Sequence, residues 1–579
     1  MRNNYFSDNT LQSPSYLFFI HDIFTMSVSD SKQVRRKKML HGTLIVGIGT
    51  LLSRLLGMFR DTATAAILGM SVGGIMDSFV LAFRLPDIAR RLFGDGTLSI
   101  SFIPVFSKVW QQDQKKAWSL LSAMLTFVFL FLTGFVVLGE VLCGIGFTFF
   151  HPDSKVYLAS HFLALLLPYL IFICMAAITS ATLQTLGHFS LPAAIPSILN
   201  IIWLVGILLI APCVTNDPAT QCYLLTLCIL AAGIIQFFIH FPFLRAYHFR
   251  FDLSFLKVAA EIRQIFRGLF PQLFGLMSIQ LNILSASGIA WLFTGAPEET
   301  IRWLGHAVTF PMYSGAVSAI YYSERLYEFP QGLIGLAIAT AIYPLLSQHA
   351  AQKNFAALGE DLSLGLRIQF MFSIPAGVGL MLMSEKLPHL LFQRGAFTPN
   401  DMARTADLVF WFGSGVWAFC SLPIVIRAFY VLGDIWNPFR VGLISCVLNI
   451  VLGLILIWPM AEQGLALAAS IAAGSQTLIL FLIFVKKYRQ IDFKSIIVGI
   501  IRSCFATFVM ALIVAAIMKM LPGESSADDV IHLLLGGFVG IFVFTVVYRF
   551  LGGREPEIIV QEYIKKKTPQ KINRKRKQK

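Results

Sequence analysis

The stretch Ser53-Arg54-Leu55-Leu56-Gly57-Met58-Phe59-Arg60-Asp61 decides how the chain is read. At 100° per residue, Ser53, Arg54, Gly57, Arg60 and Asp61 fall within roughly a 120° arc of one helix, with Leu55, Leu56, Met58 and Phe59 opposite. Two arginines and an aspartate on one face are expensive in hydrocarbon. Inside a membrane bundle such groups face the interior or a water-filled cavity, and they mark function. An anionic partner for Arg54 and Arg60 is expected.

The surroundings are those of a membrane protein. The chain has 579 residues, 56% hydrophobic and 13% charged, and its mean hydropathy is +0.72. Soluble proteins carry about 25% charged residues, so the composition excludes a soluble globular class. The net charge of +15 sits largely in Lys32 to Lys38, in loops between apolar runs and in the tail from Lys565 to Lys579. Basic flanks of this kind set topology and meet anionic headgroups; a nucleic-acid partner is not expected. Eight scattered cysteines show no metal or disulfide spacing, and no phosphate-binding GxxxxGK[ST] loop occurs, which argues against ATP hydrolysis.

A membrane crossing takes about twenty apolar residues. On that measure about fourteen spans are expected, at 42–67, 73–105, 117–146, 157–185, 190–212, 221–245, 267–294, 308–346, 362–384, 402–432, 438–459, 462–485, 495–520 and 529–551. The second and eighth contain Pro86 and Pro330 and should kink or break there. Even-numbered loops carry Lys108, Lys115, Lys116, Arg245, Arg250, Lys257, Lys486 and Lys487. The loop after span nine, with Lys386 and Arg394, is the exception. The bias places both termini in the cytoplasm.

The segment from Gly187 to Pro192 followed by Asn200 echoes Gly433 to Pro438 followed by Asn449, and Phe102-Ile103-Pro104 echoes Ile342-Tyr343-Pro344. An offset of six spans keeps both copies in one orientation, as in parallel-repeat transporters. The expected fold is all-α, with two parallel-repeat six-helix lobes and two extra C-terminal helices. The divisions are a cytoplasmic extension (1–40), an N-lobe (41–247), a basic linker (248–266), a C-lobe (267–486), the extra pair (487–552) and a basic tail (553–579).

Span two adds Asp77 and Arg84 on one helical face and ends in Pro86-Asp87-Ile88-Ala89-Arg90-Arg91-Leu92-Phe93-Gly94-Asp95. Span eight carries Glu324, Arg325 and Glu328 within an arc of about 100°. Two readings fit. Arg54, Arg60, Arg84 and Arg325 against Asp61, Asp77, Glu324 and Glu328 is an even match, so the charges could pair and lock the lobes together. Alternatively the guanidiniums cradle a phosphate or pyrophosphate, which their planar forks suit. Asp401 is expected to cap a helix start.

These segments carry a resemblance. Ser53 to Asp61, Asp77 with Ala82-Phe83-Arg84-Leu85-Pro86, Arg90-Arg91, Tyr321-Tyr322 with Arg325 and Glu328-Phe329-Pro330, and Arg427-Ala428-Phe429-Tyr430 resemble the MurJ/MviN family. These are lipid II flippases of the multidrug/oligosaccharidyl-lipid/polysaccharide exporter superfamily. The resemblance implies a transporter, not an enzyme, in the bacterial inner membrane. It would move undecaprenyl-pyrophosphate-linked peptidoglycan precursor by alternating access, for cell-wall synthesis and cell shape. It further implies that Arg54, Arg60 and Arg325 engage the pyrophosphate, with Ser53, Asp61, Asp77 and Arg90 in the substrate site. Arg84, Asp95, Glu324 and Glu328 would gate or support it, and spans thirteen and fourteen would form a lipid-tail groove. The family pattern often has Glu where Asp95 stands. Some members hold sodium on a carboxylate in span seven, whereas residues 267–294 offer Gln272, Gln280 and Asn282 but no acid. No cofactor is expected; the drive would be membrane potential or an ion gradient. Possible partners besides lipid II are membrane lipids and the wall-synthesis or division machinery. The alternatives are a flippase for another polyprenyl-linked glycan of O-antigen type, or a MATE-like exporter.

Overall fold

The computed structural model describes residues 32–94, 97–151, 154–296, 298–303, 305–488, 492–521 and 525–557. Most of the expected 1–40 extension, Asp95 and the tail beyond Glu557 lie outside the described residues. The first half consists of α1 (Lys32–Leu68), α2 (Ile75–Ala89), α3 (Thr97–Gln112), α4 (Gln114–Phe149), α5 (Lys155–Leu166), α6 (Tyr169–Thr185), α7 (Ser190–Val205), α8 (Ala211–Val214), α9 (Pro218–Phe238) and α10 (His240–Ala246). After α11 (Ala259–Leu292) comes a hairpin of β1 (Thr300–Trp303) and β2 (His306–Thr309). There follow α12 (Ala316–Pro330), α13 (Leu336–Ala351), α14 (Phe355–Leu382), α15 (Lys386–Phe392), α16 (Pro399–Val431), α17 (Trp436–Met460), α18 (Glu462–Lys487), α19 (Phe493–Met520) and α20 (Ser526–Phe550).

Among the described residues, eleven helices are long and apolar enough to cross a membrane, fewer than the fourteen expected. The expected spans 42–67, 73–105 and 267–294 are helical but fall outside that set. The first carries Arg54, Arg60 and Asp61; the second is interrupted; the third has only Met277–Leu292 as a short apolar piece. The basic run from Lys32 is helical and continuous with α1.

The fold is all-α as expected, with one addition: Thr300–Trp303 pairs antiparallel with His306–Thr309, Thr300 opposite Thr309 and Trp303 opposite His306. β-branched Thr300, Ile301, Val308 and Thr309 favour it. Trp303 pins it to the bundle, 5.1 Å from Phe293 and 5.9 Å from Trp458 between ring centroids. The eighth span accordingly starts at Ala316, not at 308.

Of the two proline breaks, the one at Pro330 falls where expected and the one at Pro86 falls later. Helix α2 continues through Pro86 to Ala89 and is followed by a π turn, Arg90–Gly94; α12 ends at Pro330, followed by a π turn, Gln331–Gly335. Proline removes one N–H from the ladder, and the chain re-registers past it with a wider turn. Both turns border the site described below.

The internal echo has a common geometry. Gly187 and Gly433 take left-handed φ values of 86° and 75°, which glycine adopts without strain. Each ends the preceding helix. Helix α7 then packs on α1, and α17 packs on α11. Asn200 donates to the Ser53 carbonyl on α1 (2.9 Å), as Asn449 donates to the Asn282 carbonyl on α11 (3.3 Å).

Large apolar side chains cover the outside: Leu130 and Phe131 on α4, Phe508 and Leu512 on α19, Phe538 and Ile541 on α20. Water would not tolerate such continuous patches; hydrocarbon does. Helices α19 and α20 pack together, and α19 lies along α14. One end of α20 is pinned by charge. Asp529 is fully buried against Lys386 Nζ (3.2 Å) and the His389 imidazole of α15. Removing one member of a buried pair costs about 3 kcal/mol. Asp529→Ala is therefore expected to lower the melting temperature in detergent by several degrees, read by fluorescence-detected unfolding.

Candidate functional site

A cavity of about 680 Å³ lies between α1, α2, α6, α7 and α12. Its wall includes Ser53, Arg54, Arg60, Asp61, Asp87, Arg90, Arg91, Asn200, Arg325 and Glu328. On α1 these residues run from Ser53 to Asp61, past the midpoint of the helix, and the cavity extends from them toward the start of α7.

The charges form a chain of alternating sign. Arg60 Nε donates to Asp61 (2.8 Å), and Arg325 Nε lies 3.8 Å from the other Asp61 oxygen. Arg325 Nη1 donates to Glu328 (2.7 Å), which also accepts from Arg91 (3.1 Å). Arg91 Nε donates to Asp87 (2.9 Å), and Asp87 accepts from Arg90 (2.9 Å). Seven groups on α1, α12, α2 and its π turn thus run from Arg60 to Arg90, with a cation at each end. Pairs three and four residues apart on α2 and its π turn place Asp87 against both Arg90 and Arg91.

Arg60 is held from every side. Its Nη1 donates to Asn200 Oδ1 (3.0 Å) and Nη2 to the Tyr321 hydroxyl (3.2 Å); Tyr321 donates onward to Asp61 (3.1 Å). The guanidinium lies 4.5 Å from the Trp203 ring centroid, a cation–π contact. Trp203 in turn donates to Thr64 Oγ1 (3.0 Å).

Arg54 stands apart from the chain. Among the described residues it meets no carboxylate, and its Nη1 reaches only the Glu328 carbonyl at 3.5 Å. It lies over Gly332 in the π turn after α12, so closely that a Cβ there would sit 1.8 Å from Arg54 Nη1. Glycine is what admits the guanidinium to this position.

Other expected site residues lie elsewhere. Arg84 and Glu324 form a buried pair (2.6 Å) between α2 and α12, away from the cavity wall. Asp77 is also off the wall; it accepts from Gly315 N (2.7 Å), Ser318 N (2.8 Å) and Ser318 Oγ (2.7 Å). Its carboxylate thus caps the start of α12, where free N–H groups and the helix dipole favour an anion. Asp95 lies outside the described residues. Asp87, Arg91, Asn200 and Tyr321 were not singled out as site residues, although the spacing of Asp87 and Arg91 was readable.

The opposite end of the bundle is sealed. Ala396 N donates to Ala66 O (2.8 Å), and Ser71 donates to Asp401. Arg404 donates to Ser314 O (2.7 Å) and Glu462 (2.5 Å). Asp401 caps the start of α16 as expected, as the reciprocal member of a capping box whose N-cap residue is Thr398. Among the described residues no group of three or more His, Cys, Asp or Glu is placed to hold a metal ion.

A membrane-embedded bundle with a charged central cavity and one sealed end is the architecture of a multi-pass transporter. Solved structures of similar fold include an inward-facing MATE transporter of the MOP superfamily (TM-score 0.61, 11% identity, 75% of this chain and 94% of that one). Another is a lipid II flippase MurJ in an inward closed conformation, with TM-score 0.68 and 23% identity over 88% of this chain and 99% of that one. The family model for lipid II flippase MurJ matches residues 64–535. A probable lipid II flippase MurJ of Vibrio cholerae serotype O1 is 30% identical over 463 residues, covering 76% of this chain and 81% of the relative. One of Buchnera aphidicola subsp. Acyrthosiphon pisum is 27% identical over 529 residues, covering 89% and 98%. The chain belongs to the MurJ lipid II flippase family.

Gly332→Ala tests the placement of Arg54. The methyl group displaces a flexible side-chain end, so the fold survives while the guanidinium moves away. Affinity for a pyrophosphate-bearing lipid is expected to fall about tenfold to a hundredfold, the scale of one charge-assisted hydrogen bond, with an unchanged melting temperature.

Proposed function

We propose that this chain is a lipid II flippase of the bacterial inner membrane, and that its cavity receives the pyrophosphate of the undecaprenyl-linked precursor. The observation that carries this is the charge balance on the cavity wall. Five arginines (54, 60, 90, 91 and 325) face three carboxylates (Asp61, Asp87 and Glu328), leaving a surplus of two positive charges. A pyrophosphate diester carries two negative charges. Arg54 is the first contact, because no carboxylate has to be displaced from it. The alternating chain then exchanges internal partners for the ligand: each arginine that turns to a phosphate oxygen leaves a carboxylate that its neighbour retains. A pure pairing role would leave neither a surplus nor an unpaired guanidinium. A drug exporter for cations would need the opposite sign.

The remaining assignments follow from this reading. The N-lobe (41–247) and C-lobe (267–486) rock about the cavity, and both termini lie in the cytoplasm, as the basic loops favour. The sealed end is then the periplasmic one, and Asp77, Ser71, Asp401 and Arg404 are its closing contacts. Spans thirteen and fourteen (487–552) hold the lipid tail beside α14. Arg84 with Glu324 acts as a fixed brace between α2 and α12.

For the energy source we propose the membrane potential. An inside-negative potential drives an anionic headgroup outward, at about 2.3 kcal/mol per charge per 100 mV. The gain is the same whether charge moves on the loaded or the empty limb of the cycle. In proteoliposomes containing lipid II, a potassium diffusion potential of the correct sign should accelerate transfer several-fold. A rate indifferent to its sign would rule the potential out.

Transfer of lipid II across those vesicles is expected for the wild type and expected to be lost, by at least about tenfold, in Arg54→Ala, Arg60→Ala and Arg325→Ala at equal incorporation. Arg54→Lys should retain part of the activity, since a point charge survives but the bidentate fork does not. Normal transfer by the alanine variants would sink the cradle.

A further inference from the structure

The pyrophosphate reading uses only one end of the cavity. Helix α7 lines it from Pro192 to Asn200, a distance of about 12 Å at 1.5 Å per residue. Asn200 marks the arginine end, where it accepts from Arg60. Towards the start of α7 the wall changes character, with three uncharged polar side chains: Ser180 and Gln184 of α6 and Gln236 of α9. Gln236 Nε2 donates to the Ile195 carbonyl (2.8 Å). That bond places Gln236 level with Ile195, about 7.5 Å along the α7 axis from Asn200.

Each of the three has capacity that the protein does not use. Gln184 is half-buried, and among the described residues its amide makes no hydrogen bond. Gln236 is 1% exposed, and its Oε1 is buried with no partner; a buried carbonyl oxygen normally has one. Behind Ser180 lies His240, fully buried, with Nδ1 2.8 Å from the Gln236 backbone carbonyl and Nε2 2.8 Å from Ser180 Oγ. The carbonyl requires the proton on Nδ1, so Nε2 accepts from the Ser180 hydroxyl. Ser180 is thereby oriented with its lone pairs free as acceptors.

We infer that Ser180, Gln184 and Gln236 form a neutral subsite for the hydroxyl and N-acyl amide groups of the cargo's sugar next to the pyrophosphate. The inference rests on the pyrophosphate reading. A phosphate group held by Arg54 and Arg60 leaves the directly attached sugar one group further along the wall, which matches the 7.5 Å step in scale. Acceptors at Ser180 Oγ and Gln236 Oε1 suit sugar hydroxyl and amide N–H donors. The free Gln184 amide supplies both a donor and an acceptor. The arginine end recognises what any polyprenyl pyrophosphate has; the glutamine end recognises what only a glycosylated one has.

The test compares two ligands on the full chain in nanodiscs, lipid II and sugar-free undecaprenyl pyrophosphate. Gln184→Ala combined with Gln236→Leu should weaken lipid II binding about tenfold, the worth of two neutral hydrogen bonds. Undecaprenyl pyrophosphate should change less than about twofold on the same scale. Equal weakening of both ligands, or of neither, overturns the subsite. Should the double variant unfold, Gln184→Ala alone decides, since that side chain bonds to nothing among the described residues and its loss should still separate the two ligands. Arg54→Ala in parallel distinguishes the two failures. If it leaves undecaprenyl pyrophosphate binding intact, the pyrophosphate reading fails, whatever the glutamines do.

Discussion

Charge alternation from Arg60 to Arg90 is the constraint on which the rest of this molecule depends. A single guanidinium or carboxylate taken into a low-dielectric interior costs several kcal/mol even after relaxation. Strung as cation, anion, cation, the same groups satisfy one another. They can do so only if α1, α2 and α12 meet at one level, because Arg60 and Asp61 come from the first, Asp87 from the second and Arg325 and Glu328 from the third. The chain ends in a cation on both sides, and Arg54 lies outside it over Gly332. The site is therefore stable when empty and still short of negative charge.

The same helices carry contacts of another kind at the sealed end. Asp77 on α2 is bound to the start of α12, and the Arg91–Glu328 pair joins the π turn after α2 to the other end of α12. Between them Arg84 and Glu324 form a buried pair with almost no exposure. The two helices are thus joined at three levels, with the most buried pair in the middle. The π turns that follow Pro86 and Pro330 loosen both helices beside the cavity, in the register where the arginines sit.

Much of this was legible one residue at a time. Helical periodicity put Arg54, Arg60 and Asp61 on one face, and Glu324, Arg325 and Glu328 on another. The echo of Gly187 and Gly433 located two asparagines that bond alike in space. What periodicity misjudged follows from the limits of a one-dimensional pattern. Proline at 86 suggested a break at 86, but α2 runs through it to Ala89 and the wider turn begins only at Arg90. The hairpin at 300–309 was hidden because a loop of that length between apolar runs looks irregular until Trp303 finds Phe293 and Trp458. Asn200 looked like part of a loop echo; that it holds Arg60 depends on α7 lying against α1.

The sequence by itself determined that the chain lives in a membrane, that it is built on a repeat, and which faces of its helices carry charge. These properties are set by composition and by spacing along one helix, both local quantities. Only the tertiary structure decided which charges neutralise each other, which stay in surplus, and which end of the bundle is shut. Asp77 was grouped with the binding residues by sequence and instead caps α12 off the cavity wall, while Asp87 and Arg91 proved to be links in the ion chain. An arginine facing inward has the same spacing whether it meets a carboxylate or an open cavity. Electrostatic pairing is settled by distances of a few ångströms between helices, and no spacing along a single helix contains them.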